Sequence, residues 1–314
     1  MTALLCSAIL SYGQSQRVHI PLADPTIFYD EGIYYLYGTG APDGFPVYTS
    51  SDLINWTKKE KNALQMGESY GTKGFWAPQV FKYKGKYFMA YTANEHIAIA
   101  SSNSPLGPFK QSVQRPVSEN GKQIDPFVFK DSDGRLYLYH VRLKDGNRIF
   151  VAQINEALDE IDETTATECI HAENGWENTN SATWPVSEGP TVVKRNGFYY
   201  LFYSANDFRN IDYSVGYAVA SSPAGPWKKY KSNPILSRSI TGKNGSGHGD
   251  LVKGRNGKLY YVFHTHESNE KVGKRLTAIV QISFTTGDPS TVSTKANSFR
   301  YLETDNKLPA KNVD

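Results

Sequence analysis

One motif occurs five times along this chain, and it limits the fold more than any other feature. In each copy a small or acidic residue, usually followed by proline, opens a short apolar strand. A turn containing glycine comes next, then a strand rich in tyrosine and phenylalanine. The copies are Asp24-Pro25-Thr26-Ile27-Phe28, Ala77-Pro78-Gln79-Val80-Phe81, Asp125-Pro126-Phe127-Val128-Phe129, Gly189-Pro190-Thr191-Val192-Val193 and Gly249-Asp250-Leu251-Val252. Gly32, Gly85, Gly134, Gly197 and Gly257 fall in the turns, where a hairpin needs positive φ. Counted from the proline, or from Asp250 in the last copy, successive copies lie 53, 48, 64 and 60 residues apart.

A further strand pattern follows each hairpin. It reads Val47-Tyr48-Thr49-Ser50, Ile99-Ala100-Ser101-Ser102, Val151-Ala152-Gln153-Ile154, Val219-Ala220-Ser221-Ser222 and Ile279-Val280-Gln281-Ile282. Each unit is therefore a hairpin, a third strand, a turn and a fourth strand. Antiparallel units of this size repeated around an axis predict an all-β chain folded as a five-bladed β-propeller. An irregular all-β sandwich does not account for five copies in phase. The only helix-like stretch, residues 155–161, reads as a turn-rich insertion. No boundary interrupts the repeats, so residues 17–314 are expected to form a single catalytic-size domain.

Composition narrows the function. Aromatic residues make up 13% of the chain, including 21 tyrosines, which favours strands and suits a surface that stacks on sugars or bases. The net charge of +3 is spread along the length with no basic block, which argues against nucleic acid as a partner. No apolar run reaches the length of a membrane span. Residues 3–10 form a short apolar run followed by the small, polar residues 11–16, so residues 1–16 read as a signal-peptide remnant lacking its basic start. That implies a secreted or periplasmic protein. Of the two cysteines, Cys6 falls in that segment and only Cys169 remains, which leaves no intramolecular disulfide and no cysteine metal site.

The copies differ in chemistry at their first position. Aligned on the proline, the preceding residues are Asp24, Ala77, Asp125, Gly189 and Gly249, and Glu188 sits one residue further back in the fourth copy. In a propeller the innermost strands line the axis, so these positions converge. Taken singly, each Asp-Pro is accounted for as a strand-entry turn. A purely structural acid or a multivalent lectin would repeat in every blade, and this set does not. Three carboxylates from blades one, three and four, set among aromatics, suit glycosidic bond cleavage: one acid stays protonated and another stays ionised.

The segments Ala23-Asp24-Pro25, Trp76-Ala77-Pro78, Ile124-Asp125-Pro126-Phe127, Ser187-Glu188-Gly189-Pro190 and Gly247-His248-Gly249 resemble glycoside hydrolase family 43 over roughly residues 19–285. The resemblance implies an inverting hydrolase that removes terminal arabinofuranosyl or xylosyl residues from plant polysaccharides or oligosaccharides. An exo-acting α-L-arabinofuranosidase is the first expectation. A β-xylosidase or an endo-acting xylanase or arabinanase is the alternative within the family, and a non-catalytic sugar-binding propeller the alternative outside it. A related fructan-hydrolysing clan is disfavoured because Ala23, not asparagine, precedes Asp24.

By the same resemblance Asp24 is the general base, Glu188 the general acid, and Asp125 the residue that orients the acid and holds its pKa up. Trp76, Arg275 and Asn206 are expected to contact sugar. His248 matches a histidine that in many members binds calcium or a water network near the axis, so a structural Ca2+ is expected there while the chemistry needs no cofactor. His264 and His266 share a strand face but fall at a strand end, and Asp131-Ser132-Asp133-Gly134 reads as a hairpin turn rather than a calcium loop. The glycine-rich residues 242–247 read as a flexible loop at the pocket entrance. The protein is expected to be a monomer.

Overall fold

Tyrosine, phenylalanine and β-branched residues pair as hairpins at all five predicted places. In the computed structural model, which describes residues 16–305, the inner strands are Ala23–Asp30, Trp76–Tyr83, Gln123–Lys130, Ser187–Arg195 and Gly247–Lys253. Their hairpin partners are Ile33–Thr39, Lys86–Ala93, Leu136–Leu143, Phe198–Ala205 and Leu259–Thr265. Third strands Tyr48–Ser50, His96–Ser102, Asn147–Ile154, Ser214–Ala220 and Leu276–Phe284 extend each sheet outward. The inner strands neighbour one another in chain order and the fifth meets the first, which closes a five-bladed β-propeller. The expected signal segment and Cys6 lie outside the described residues.

Fourth strands Asn55–Lys58, Ile161–Ile170, Lys228–Lys229 and Val292–Tyr301 complete blades one, three, four and five. Blade two stops at three strands with a single bridge from Ser101 to Lys110. The reason is Phe109, which is fully buried in the cluster between blades one and two and whose N–H donates to Ala63 O at 2.8 Å. Blade one carries six strands. Glu303–Asp305 runs parallel to Asn55–Lys58, and Arg17–His19 pairs with Glu303–Asp305 at the outer edge.

Apolar side chains gather in five clusters between adjacent blades, not in one central core. The cluster between blades five and one, for example, joins Leu36, Trp56, Val262, Ile279 and Leu302. Because burial is satisfied between the blades, the axis is free to be polar. It is lined by the opening residues of the five inner strands and holds a channel of only about 20 Å³, about one water molecule.

Two local readings change. A four-residue helix, Arg238–Thr241, ends at Gly242 in the left-handed region, with φ of 71°. Residues 242–247 are not a loose entrance loop. The Asn244 N–H donates to Asn269 Oδ1 at 3.0 Å, Ser246 is buried, and a Cβ on Gly245 would lie 2.0 Å from the His266 ring.

Candidate active site

The entry of every inner strand is bulged against its hairpin partner. At each bulge one residue adopts left-handed φ: Asp24 (48°), Ala77 (47°), Asp125 (55°), Gly189 (60°) and His248 (45°). In blades one to four the next residue is proline, which makes that backbone still less favourable, and each non-glycine here costs about 1–3 kcal/mol. The fifth member of the ring is therefore His248 rather than Gly249, which was its counterpart in the alignment by sequence. Gly249 stands where the other blades have proline, and that shifts the alignment by one. Gly189 must be glycine on a second count, since a Cβ there would sit 2.8 Å from the His248 ring.

The N–H of each bulged residue, which the bulge takes out of the hairpin ladder, is accepted by the preceding blade. Thr39 Oγ1 takes Ala77 at 3.0 Å, Thr92 Oγ1 takes Asp125 at 3.0 Å, Ser204 Oγ takes His248 at 2.7 Å and His264 Nδ1 takes Asp24 at 3.1 Å. These acceptors occupy one repeated position at the end of the second strand. Blade three has Val141 at that position, with no acceptor, and the Asp125 carboxyl supplies it: Oδ2 accepts the Gly189 N–H at 3.1 Å. Asp125 is thus tied to the backbone immediately after Glu188.

The three carboxyls differ in charge. Burial opposes ionisation of Asp24, but the positive charge available from His248 when protonated and from Arg275 outweighs it and holds this carboxyl far below its ordinary range. Arg275 NH1 lies 3.6 Å from Asp24 Oδ1, and Thr39 Oγ1 donates to Oδ2 at 2.7 Å. His248 Nδ1 is 3.4 Å from Asp24 Oδ1 and 3.8 Å from Asp125 Oδ2. Burial pulls both His248 and His264 below their ordinary values, His264 to about 4, so Arg275 carries the full positive charge beside Asp24. Since His264 Nδ1 accepts the Asp24 N–H, it has no proton there to give the carboxylate 3.4 Å away.

Glu188 goes the other way. Burial and the negative charge of Asp24 push it up to about 7, against Tyr213 and Asn147, which hydrogen-bond it. The Tyr213 O–H donates to Oε1 at 2.8 Å, and Asn147 Nδ2 donates to Oε2 at 3.0 Å. Asp125 is likewise raised, by burial, Glu188 and Asp24. The charge that lifts Glu188 is therefore chiefly that of Asp24, and Asp125 acts on the backbone beside it.

A cavity of about 390 Å³ brings together Asp24, Asp125, Glu188, His248, Trp76 and Arg275, the upper six of the seven residues expected from sequence. Trp76 is 39% exposed in its wall, and Arg275 lies 4.4 Å over the Phe208 ring. Asn206 is absent from this lining and lies in the wall of the adjoining cavity. It is buried, its Oδ1 accepts from Thr179, and its Nδ2 donates to Trp176 O and Asp212 O, so it braces the 176–212 loops. Sequence reading missed Asn147, Tyr213, Phe208 and Trp184. Only Thr39, Thr92, Ser204 and His264 carried a signal, as polar residues at a repeated strand end. A larger cavity, about 590 Å³, lies between blades five and one among Arg255, Lys258, Lys295 and Arg300 and contains no such carboxyl pair.

The donors around His248 do not fit calcium. Among the described residues no three His, Cys, Asp or Glu side chains are grouped to hold a metal, calcium takes six to eight oxygens, and His248 Nδ1 already faces two carboxyls. His264 and His266 likewise go to separate partners, His266 Nε2 lying 2.8 Å from Phe208 O.

The model of the glycosyl hydrolases family 43 matches residues 18–289. An extracellular endo-alpha-(1->5)-L-arabinanase of Bacillus subtilis is 28% identical over 86% of this chain and 87% of its own. A beta-D-galactofuranosidase of Aspergillus niger is 24% identical over 83% of this chain and 79% of its own. Among solved structures, an endo-1,4-beta-xylanase from Bacteroides thetaiotaomicron is 40% identical with a TM-score of 0.87, covering 93% of this chain and all of that one. With nearly the whole ring inside the family match, the chain belongs to glycoside hydrolase family 43 and is a glycosidase.

Proposed function

We propose that the protein hydrolyses arabinofuranosyl or xylosyl glycosides of plant polysaccharides in one displacement, with Asp24 as general base and Glu188 as general acid. The observation that carries this reading is two buried carboxyls on one cavity in opposite surroundings: Asp24 beside the Arg275 guanidinium at 3.6 Å, which favours its ionised form, and Glu188 hydrogen-bonded by the neutral Tyr213 and Asn147, its pKa pushed up by burial. Water gives a proton to Asp24 as its oxygen attacks the anomeric carbon. The bond to the leaving oxygen breaks, and that oxygen takes the proton of Glu188. The configuration inverts, and solvent returns the proton from Asp24 to Glu188. Asp125 acts as a positioning residue through the Gly189 N–H. Inversion calls for acid and base about 6.5–9.5 Å apart, leaving room for the water.

An exo-acting α-L-arabinofuranosidase remains the leading specificity, on the family resemblance of the carboxylate segments, with the cavity and the axial channel sharing Asp24, Asp125 and His248. The 40% identity to a solved endo-xylanase favours an endo-β-1,4-xylanase as the second reading. Export is supported by the extracellular B. subtilis relative, and among the described residues no helix is long and apolar enough to cross a membrane. Action as a monomer is supported by one chain supplying the complete axial ring. A calcium ion on His248 is not part of the proposal.

The test is hydrolysis of aryl α-L-arabinofuranoside, aryl β-D-xyloside and the two series of linear oligosaccharides, with NMR reading the first anomer released. Release of monosaccharide of inverted configuration from arabino-oligosaccharides supports the leading reading, and mixed xylo-oligosaccharide products support the second. Retained configuration, or no cleavage of either series, overturns the proposal.

A further inference from the structure

The larger cavity between blades five and one, about 590 Å³, shares no lining residue with the catalytic pocket. Tyr34, which pairs with Tyr29, and Arg255 and Lys258, in the hairpin turn of blade five, place it at the far ends of the inner strands. Asp24 stands at the start of its strand and Asp30 at the end, about 20 Å apart at about 3.3 Å per residue. The cavity therefore lies on the face of the ring opposite the three carboxyls.

One wall is an excursion of the fourth strand of blade five. Ile279 pairs with Arg300 and Gln281 with Lys295, so residues 296–299 loop out opposite Val280 alone. Ser298 Oγ accepts the Gln281 N–H at 2.8 Å and donates to Lys295 O at 2.6 Å, which fixes the excursion. Blade three repeats it. There Val151 pairs with Thr167 and Gln153 with Asp162, and Thr165 Oγ1 accepts the Gln153 N–H at 2.9 Å. The counterparts of Lys295 and Arg300 are thus Asp162 and Thr167. The excursion belongs to the fold, and the positive charge belongs to blade five.

Arg255, Lys258, Lys295 and Arg300 line the cavity together, and among the described residues none of the four forms an ion pair. The one carboxylate in the lining, Asp52, is already engaged. Its Oδ1 accepts the Ile54 and Asn55 N–H groups, each at 2.8 Å, and its Oδ2 accepts from Asn55 Nδ2 at 2.7 Å. Arg300 is half-buried, and burial works against its charge. Among the described residues its guanidinium donates to no acceptor. Four cations without a counter-charge, beside the Gln281 and Asn297 amides and the half-buried Tyr260 ring, suit an anionic ligand that also carries hydroxyls. A sugar acid has both. A nucleic-acid duplex would need a longer run of cations to follow its phosphates.

We propose that this cavity is a second carbohydrate site, which takes the carboxylate of a uronate residue on Arg300 and its basic neighbours and anchors the enzyme to acidic plant polysaccharide. The proposal rests on the reading of plant polysaccharide as substrate.

The experiment is affinity electrophoresis through gels that hold glucuronoxylan, the same xylan with its carboxyl groups reduced to alcohols, or duplex DNA. It compares wild type, Arg300→Gln and a double variant that combines Lys258→Ala with Lys295→Ala, with aryl glycoside hydrolysis measured alongside. At low salt wild type is expected to bind the acidic xylan about fivefold more tightly than the reduced one, and both variants to lose most of that preference. The double variant changes only exposed side chains, so it reports on the site even if Arg300→Gln unfolds. Its aryl glycoside turnover should equal that of wild type. Equal binding of the two xylans by an active wild type, or a preference that survives in the double variant, overturns the site and leaves the hydrolase reading intact. Tighter binding to DNA than to glucuronoxylan also overturns it, in favour of a phosphate-binding surface. A wild type that prefers the acidic xylan but cleaves neither aryl glycosides nor oligosaccharides supports the site and overturns the hydrolase reading.

Discussion

Tyr213→Phe isolates one hydrogen bond to Glu188, the proposed acid. Tyr213 is fully buried, its ring stacks on His264 at 5.6 Å and 16°, and its O–H donates to Glu188 Oε1 at 2.8 Å. Burial and the nearby carboxyls raise its own pKa well above the ordinary value, so it stays a donor at every working pH. A donor on a carboxyl favours the ionised form, and hydrogen bonds to charged groups contribute about 1.5–3 kcal/mol. At about 1.4 kcal/mol per pKa unit, losing this bond raises Glu188 from about 7 by about 1–2 units. In the proposed mechanism the protonated form is the active one, so the rate falls as pH rises through this pKa. Tyr213→Phe should therefore move the alkaline limb of kcat/KM upward by about 1–2 units on an oligosaccharide that needs acid assistance. The shape of the residue and its stack on His264 are retained, so thermal stability should change little. An alkaline limb that stays in place, or moves to lower pH, refutes the account of how Glu188 is kept protonated.

Other consequences follow from the same geometry. Asp24→Ala should lower kcat/KM by about 10²–10⁴, and added azide should restore turnover by forming the glycosyl azide of inverted configuration, read by NMR. Because Glu188 rises from its ordinary 4.5 to about 7 on folding, the folded chain binds more protons between those values, and stability falls as pH rises through that window. Glu188→Gln removes this term, so its melting temperature relative to wild type should climb from about pH 4.5 to pH 7. Gly189→Ala places a Cβ 2.8 Å from the His248 ring at a φ of 60°, and urea unfolding should show a loss of about 1–3 kcal/mol together with lowered activity.

The propeller was legible because five blades repeat one hydrophobic alternation, and the carboxylates because they break that repeat at a shared position. His248 was seen but misplaced by one residue, since the Pro–Gly difference between blades is a backbone event with no side-chain signature. Asn147 and Tyr213 were not legible. Each sits among the strand or loop residues of its blade with ordinary neighbours in sequence, and its role exists only through contacts made across 41 and 25 residues to Glu188. Asn206 lines the adjoining cavity, and the loops it braces already occupy its hydrogen-bonding groups, which its position in sequence does not reveal. Trp184 lies in a stretch without strand periodicity, where sequence pattern says nothing about which wall a loop will build.

The way blade one closes also sets an order of assembly. Asp24 emerges among the first residues of the described chain, while its cationic neighbour Arg275, the His264 ring that holds its N–H, and the edge strand Glu303–Asp305 come last. During synthesis Asp125 and Glu188 can be seated with blades three and four already made, yet Asp24 has neither its charge partner nor its backbone anchor. A chain cut short before Arg275 carries Asp125 and Glu188, while Asp24 lacks its guanidinium partner. The surroundings of Asp24 in the first blade are thus complete only once blade five has been made.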